Sequence, residues 1–173
     1  MMEDQKVFTQ PYILHALVPP GITCARPAPD GTGVFGADLT LTRLSDFLWD
    51  IETSGPATAF IFDTENRLIA HPREPVASVV RAGQKTEMWF TNALDSRYPE
   101  VKASADLYQS QKELVFNRNI ILDLEGGAWL FRLTRTKEPQ TSKPGVSGMD
   151  HIITVTAPVS AFTGYITRMW TRI

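Results

Sequence analysis

The sequence predicts an α+β protein. Three observations carry that expectation: β-forming runs that pair up around turn-forming residues, a 3.6-residue apolar stripe between Thr40 and Ser54, and a second helical stripe at the C-terminal end. At 173 residues the chain fits one compact body, since a domain takes roughly 100 to 200 residues.

The elements follow in order. Gly21 to Arg26 reads as a strand, Pro27-Ala-Pro-Asp-Gly31 supplies turn chemistry, and Gly33 to Leu39 reads as the returning strand. Leu41, Leu44, Phe47, Leu48 and Ile51 then share one side of a helix from Thr40 to Ser54, with Thr40 as N-cap and Gly55-Pro56 as the stop. That spacing places Leu44, Phe47, Leu48 and Ile51 in a packed face and leaves Arg43, Asp46 and Asp50 wet. Ala57 to Asp63 and Leu68 to His71 form a second hairpin about Thr64-Glu-Asn-Arg67, ended by Pro72. Arg73 to Gln111 reads as loop and helices crossing a sheet, with Val101, Ala105 and Tyr108 at helical spacing after Pro99. Leu114 to Asn117, Ile120 to Leu124, Ala128 to Thr136 and His151 to Ala157 read as strands, separated before His151 by a polar loop, Lys137 to Met149. In the Ala128 to Thr136 strand, Trp129, Phe131 and Leu133 alternate with Leu130, Arg132 and Thr134, so one face is apolar and the other carries a charge. Ser160 caps a final helix whose stripe is Phe162, Tyr165, Ile166, Met169, Trp170 and Ile173, and Trp170-Thr-Arg172 suits a membrane interface.

Several chemistries are excluded by composition and spacing. Seventeen Lys and Arg against nineteen Asp and Glu, a net charge of -2, disfavour a nucleic-acid partner. Cys24 is alone in the chain and reads as a buried free thiol. Gly31-Thr-Gly33-Val-Phe-Gly36 spells a dinucleotide fingerprint, but Pro27, Pro29 and Asp30 precede it and a strand follows, so no helix N-terminus meets a pyrophosphate. His15, His71 and His151 share no metal-ligand spacing with Cys24 or a carboxylate, and Asp123 with Glu125 fits a solvated turn better than an acid and base pair. No metal, cofactor or catalytic residue is expected.

The run Gly33-Val-Phe-Gly-Ala-Asp38-Leu-Thr-Leu-Thr-Arg-Leu-Ser-Asp-Phe-Leu48, followed by Ala59-Phe-Ile-Phe-Asp63 and Arg67-Leu-Ile-Ala-His-Pro72, resembles the extracellular double Cache sensor domains of bacterial membrane receptors. There a "GVVGADISL" strand leads into a "LSxFL" helix and then to "GxAFIxD" and "GRLIAHP" strands. The resemblance covers nearly the whole chain. It implies a PAS-like antiparallel sheet flanked by helices, with residues 1-39 the end of a membrane-distal module, 40-55 a connecting helix, 56-158 the membrane-proximal module and 159-173 an exit helix toward a transmembrane segment. The implied function is a periplasmic or extracellular small-molecule sensor of an inner-membrane receptor, acting as a homodimer on a cytoplasmic effector. The middle region is most similar to sensors attached to adenylate or guanylate cyclases; histidine kinases and chemoreceptors use the same sensor, and a ligand-free relay or dimerisation module is the alternative reading.

The resemblance also names residues. Family members that bind amino acids use an arginine, tryptophan and tyrosine cluster from an earlier part of the distal module together with the aspartate of "GAD"; Asp38 matches that aspartate and Tyr12 matches the tyrosine of "PY". The acidic residue that often follows as "PYxD" is Leu14 here. In the proximal module a ligand, an organic acid or amino acid, is expected between the sheet and the Arg73 to Gln111 segment, bounded by His71, Trp89, Tyr108 and Arg132. Trp89 and Tyr108 would wall it and Arg132 would pair with a carboxylate. If Trp89, Phe90 and Tyr108 instead fill that space, the relay reading gains. Residues 8 to 39 are expected to expose apolar surface.

Overall fold

The computed structural model describes residues 7–14, 20–82, 85–136 and 150–162. Two antiparallel sheets and two helices account for most of them, so the α+β expectation is met.

Sheet A is N-terminal. β1 (Val7–Phe8) and β2 (Tyr12–Ile13) lie in series along one edge of β3 (Pro20–Pro27), and β4 (Val34–Thr40) lies along the other. Between β1 and β2 the register slips by one residue, Phe8 facing Cys24 but Tyr12 facing Gly21. Pro11, which has no N–H to donate, stands in that gap. Gly21 is obligatory: a Cβ there would sit 2.4 Å from Leu14 Cδ1 and 2.8 Å from the Leu39 carbonyl oxygen.

α1 (Leu41–Thr53) begins directly after β4, and the Thr40 hydroxyl accepts from Arg43 N at 3.1 Å, the expected N-cap. Its buried line differs from the sequence reading. Leu41, Leu48 and Glu52 are buried with Leu44 half-buried, whereas Phe47 and Ile51 are 59% and 41% exposed. The helix is turned so that the 41, 44, 48, 52 line meets the second sheet, and Glu52 tolerates burial because Arg73 Nε and Thr58 Oγ1 donate to its two oxygens at 2.8 and 2.6 Å.

Sheet B is built from β5 (Thr58–Asp63), β6 (Leu68–Ala70), β9 (Asn119–Leu124), β10 (Gly127–Thr136) and β11 (His151–Pro158), in the order β6-β5-β11-β10-β9 with every pair antiparallel. The β5 to β6 turn is closed by buried Asp63, which accepts from Glu65 N and Arg67 N through one oxygen and from Arg67 Nε through the other. Gly126 and Gly127 close the β9 to β10 turn at φ of +101° and +126°, conformations closed to most side chains.

The inner face of sheet B is covered by α2, and the outer face is covered by α1 only over β5 and β6. α2 (Pro99–Gln111), started by Pro99 in its first turn, sends Val101 and Ala105 into the cluster formed by Phe60, Phe62, Phe131, Leu133 and Ile152 on the inner face. α1 covers the outer face over β5 and β6 through Leu48, Ala59 and Ala70. Two further expectations are corrected. Within the Arg73 to Gln111 segment the chain forms a two-stranded ribbon, β7 (Ala77–Ala82) and β8 (Lys85–Phe90), and Leu114 to Asn117 is no strand. The latter residues lie in a 3-10 turn, Lys112–Val115, followed by a single parallel bridge from Phe116 to Leu133. The chain turns helical over residues 159–162; the remainder of the C-terminal stripe, Tyr165 to Ile173, lies outside the described residues. Among the described residues no helix is long and apolar enough to cross a membrane.

Candidate functional site

In the β3 to β4 hairpin Thr23 pairs with Asp38, and one step along the same face Ala25 pairs with Gly36. Side chains of directly opposed residues leave the sheet on the same side, so Thr23 and Asp38 meet. Thr23 Oγ1 donates to Asp38 Oδ1 at 2.6 Å. From the opposite edge of β3, Tyr12 brings its hydroxyl to 2.5 Å from Thr23 Oγ1 and 3.4 Å from Asp38 Oδ1. Since the single Thr23 proton goes to Asp38, the short contact is Tyr12 donating to Thr23, and the three form a relay ending on a carboxylate. Tyr12 and Asp38 are exposed, and a Cβ at Gly36 would meet nothing nearer than Thr23 Cγ2 at 3.6 Å. The result is an open, small-residue surface with one carboxylate and one phenol turned outward.

Tyr12 and Asp38, singled out separately in the sequence, are thus brought together, and Thr23 was missed. Its signal was available in the hairpin register: counting outward from the turn, where Ala28 N donates to the Gly33 carbonyl, places Thr23 opposite Asp38. Exposed apolar side chains also flank this hairpin as expected, with Val34 70%, Phe35 66% and Leu39 40% accessible.

The four residues expected to bound a proximal pocket are not gathered into one. Tyr108 packs edge-on against Phe62 and tilted against Phe116, at 6.1 and 6.0 Å between ring centres, on the inner face. Arg132 lies between Phe131 and Leu133 and therefore points to the outer face, where its guanidinium donates to Asn119 Oδ1 at 3.2 Å. Trp89 pairs with Ser78 on the ribbon and is 61% exposed, while its neighbour Phe90 packs on the core beneath the Arg67 guanidinium. The space between sheet and crossing helix is filled by Phe90 and Tyr108 together with the α2 side chains.

His71 sits at the end of β6, wholly buried between Tyr98 and Phe60 at 4.6 and 5.9 Å. Burial pushes its pKa down to about 4, against the upward pull of Glu74 and Glu52. Beside it an open cleft of about 350 Å³ separates α1, through Leu41, Thr42 and Ser45, from the segment carrying His71, Arg73 and Val76. Two other buried groups are displaced by burial: Glu100 on α2 is raised and His151 on β11 is lowered. No cluster of metal-ligating side chains occurs among the described residues.

No family model matches the chain, and no curated protein matches it. Solved structures do. The ligand-binding domain of the Pseudomonas aeruginosa PAO1 amino acid chemoreceptor PctB, in complex with L-Arg, aligns over 98% of this chain and 56% of its own at 20% identity and a TM-score of 0.49. That of the Pseudomonas fluorescens chemoreceptor CtaA with L-isoleucine aligns over 92% and 55% at 18% identity and 0.48. The sensory domain of the Campylobacter jejuni chemoreceptor Tlp3 with isoleucine bound aligns over 92% and 51% at 17% identity and 0.48. The chain spans about half the length of these solved domains.

Proposed function

We propose that this chain belongs to the extracytoplasmic, ligand-sensing part of a membrane-anchored receptor, and that its ligand is a small molecule carrying an ammonium group, an amino acid above all. The observation that carries the reading is the convergence of Tyr12, Thr23 and Asp38 on one open sheet face. An exposed carboxylate beside a phenol offers an ammonium group a charge-assisted hydrogen bond and a second oxygen acceptor, while Ala25 and Gly36 leave room for the rest of the molecule. Residues 1-39 act as the end of a distal module that supplies this face, and residues 56-158 act as the proximal module.

The relay runs through α1. Asp38 stands two residues before Thr40, the cap of α1, so a ligand that shifts β4 shifts the helix, and Glu52 at the other end is ion-paired to Arg73 of the body. A ligand moves such an equilibrium only by its difference in affinity for the two states, and going from mostly off to mostly on takes roughly 5.5 kcal/mol of that difference. The filled inner face of sheet B supports a relaying body that binds nothing of its own, and the exposed Phe47, Trp49 and Ile51 of α1 support association with a second copy. A nucleotide cyclase is the effector the sequence resemblance favours.

The test is thermal unfolding with millimolar amino acids, using the chain and its Asp38→Asn and Arg132→Ala variants. A ligand at 100 times its dissociation constant adds roughly 2.7 kcal/mol of stability. Amino acids raise Tm in the wild type and in Arg132→Ala but not in Asp38→Asn; an equal rise in all three removes Asp38 from the site.

A further inference from the structure

His71 holds a turn together from its centre. Its Nδ1 accepts two backbone amides, Arg73 N at 3.1 Å and Glu74 N at 2.9 Å, and its Nε2 is buried with no hydrogen-bond partner among the described residues. A ring nitrogen that accepts carries no proton, so the imidazole is neutral with its hydrogen on Nε2. The turn it shapes is a junction of three elements. From it the Arg73 guanidinium reaches Glu52 at the end of α1. The Glu74 carboxylate accepts from Ser96 Oγ at 2.5 Å and Arg97 N at 3.4 Å, at the entrance to α2. His71 N donates to Ser45 Oγ of α1 at 3.3 Å, and Arg97 closes the far side by donating to the Arg73 carbonyl at 2.8 Å.

We propose that His71 is an acid-operated latch, and that a proton on its Nδ1 opens the 72–74 turn and with it the tie between α1 and the body. A protonated Nδ1 becomes a donor facing two donors, so both hydrogen bonds fail in one step. The charged and titratable groups around the ring come from the elements packed against it: Glu52 on α1, Arg73 and Glu74 in the turn, and Arg97 with the stacked Tyr98 phenol before α2. Burial is the main force keeping the ring neutral, Arg73 and Arg97 add to it, and Glu74 and Glu52 oppose it. Once the turn opens, those two carboxylates are the natural partners of the imidazolium, which stabilises the open arrangement. The latch is therefore closed at neutral pH and opens as the medium approaches pH 4. It lies on the wall of the cleft beside α1, so opening changes the seating of the helix that β4 feeds. The latch works without the ligand.

Amide hydrogen exchange on the chain between pH 7 and 4, corrected for the intrinsic pH dependence of exchange, tests it directly. Protection at Arg73 and Glu74 is expected to fall by roughly 100-fold over that range, the factor that follows when a pKa lowered from 6.5 to about 4 is half titrated at pH 4. His71→Asn is the informative variant, because the Asn carbonyl oxygen can accept the same amides without titrating. Its protection at these two positions is expected to stay flat. Unchanged protection in the wild type, or the same fall in His71→Asn, overturns the latch. Should the variant lose its fold by circular dichroism, an NMR titration of the His71 ring decides. A midpoint near 4, with the Arg73 and Glu74 amide shifts following it, supports the latch. A midpoint near the ordinary 6.5, or amide shifts that do not follow the ring, overturns it.

Discussion

In β5 and β10, Phe60, Phe62, Phe131 and Leu133 have no accessible surface, while in β4 Val34, Phe35 and Leu39 stand in solvent. Both regions are apolar strands in antiparallel ladders. The difference lies in what covers them: sheet B has α2 on its inner face and α1 over part of its outer one, and β4, paired with β3, places no residue in either core cluster. Strand character is a local property of sequence, and burial is a property of the partner. A sheet that leaves a face uncovered and places a carboxylate, a phenol and two small residues on it has the makings of a binding surface; one whose inner face is filled has the makings of a rigid relay.

The contrast is sharpest in stability. Phe131→Ala is expected to cost about 3 to 5 kcal/mol, since it empties a wholly buried site. Phe35→Ala is expected to change stability by no more than about 0.5 kcal/mol. Urea unfolding of the two variants measures both, and equal losses would show that β4 is covered in solution. Within α1 the same contrast applies on a single helix: Leu48→Ala is expected to cost about 2 to 5 kcal/mol and Phe47→Ala about 0.5 or less, reversing the weight that the sequence stripe gives to Phe47.

How the sequence could mislead there, and inform elsewhere, has a physical cause. Hairpins were legible because each turn residue does a local job, as Asp63 and Gly126 do, and the α1 cap was legible because Thr40 bonds within its own first turn. The rotation of α1 was not, because Glu52 occupies a buried position only when Arg73, twenty-one residues later, and Thr58 satisfy it. The β7 and β8 ribbon was obscured for a related reason: its apolar face, Ala77, Val79, Met88 and Phe90, is short, and the opposite face sets Val80 against Glu87 and Ser78 against Trp89. At the candidate site, Tyr12 and Asp38 came from resemblance, whereas Thr23 required the register. Arg132 was legible as the odd charge on its strand, but the same alternation sends it to the outer face, away from His71 and Tyr108.

A pH series separates the two sheets in another way, because the displaced histidines belong to the body. A histidine whose pKa is lowered by folding contributes stability that is present above its unfolded value near 6.5 and is lost as pH falls through the folded value. For His71, lowered to about 4, the loss between pH 6.5 and 4 is expected to reach about 3 kcal/mol. His151 acts in the same direction. Glu100, raised by burial, acts in the opposite one, its protonated form being favoured by the fold, so its stability contribution is lost as pH rises. Melting temperatures at pH 7, 5.5 and 4.5 are expected to fall in the wild type and to fall less in His71→Asn. The smallest stability effect is expected at the open face, where Asp38→Asn changes unfolding free energy by about 0.5 kcal/mol or less, because an exposed hydrogen-bonded carboxylate is already well solvated.

The most direct test of a sensing face on sheet A is an NMR titration of the isotopically labelled chain with L-amino acids and with the matching 2-hydroxy acids, which keep the carboxylate and lack the nitrogen. Amide shifts are expected to move at Thr23, Gly36 and Asp38 with the amino acids alone, and to stay still in Asp38→Asn. Shifts that gather at the cleft from His71 to Ala77 instead, or that appear equally with the hydroxy acids, would contradict an ammonium-binding site on the Tyr12, Thr23 and Asp38 array.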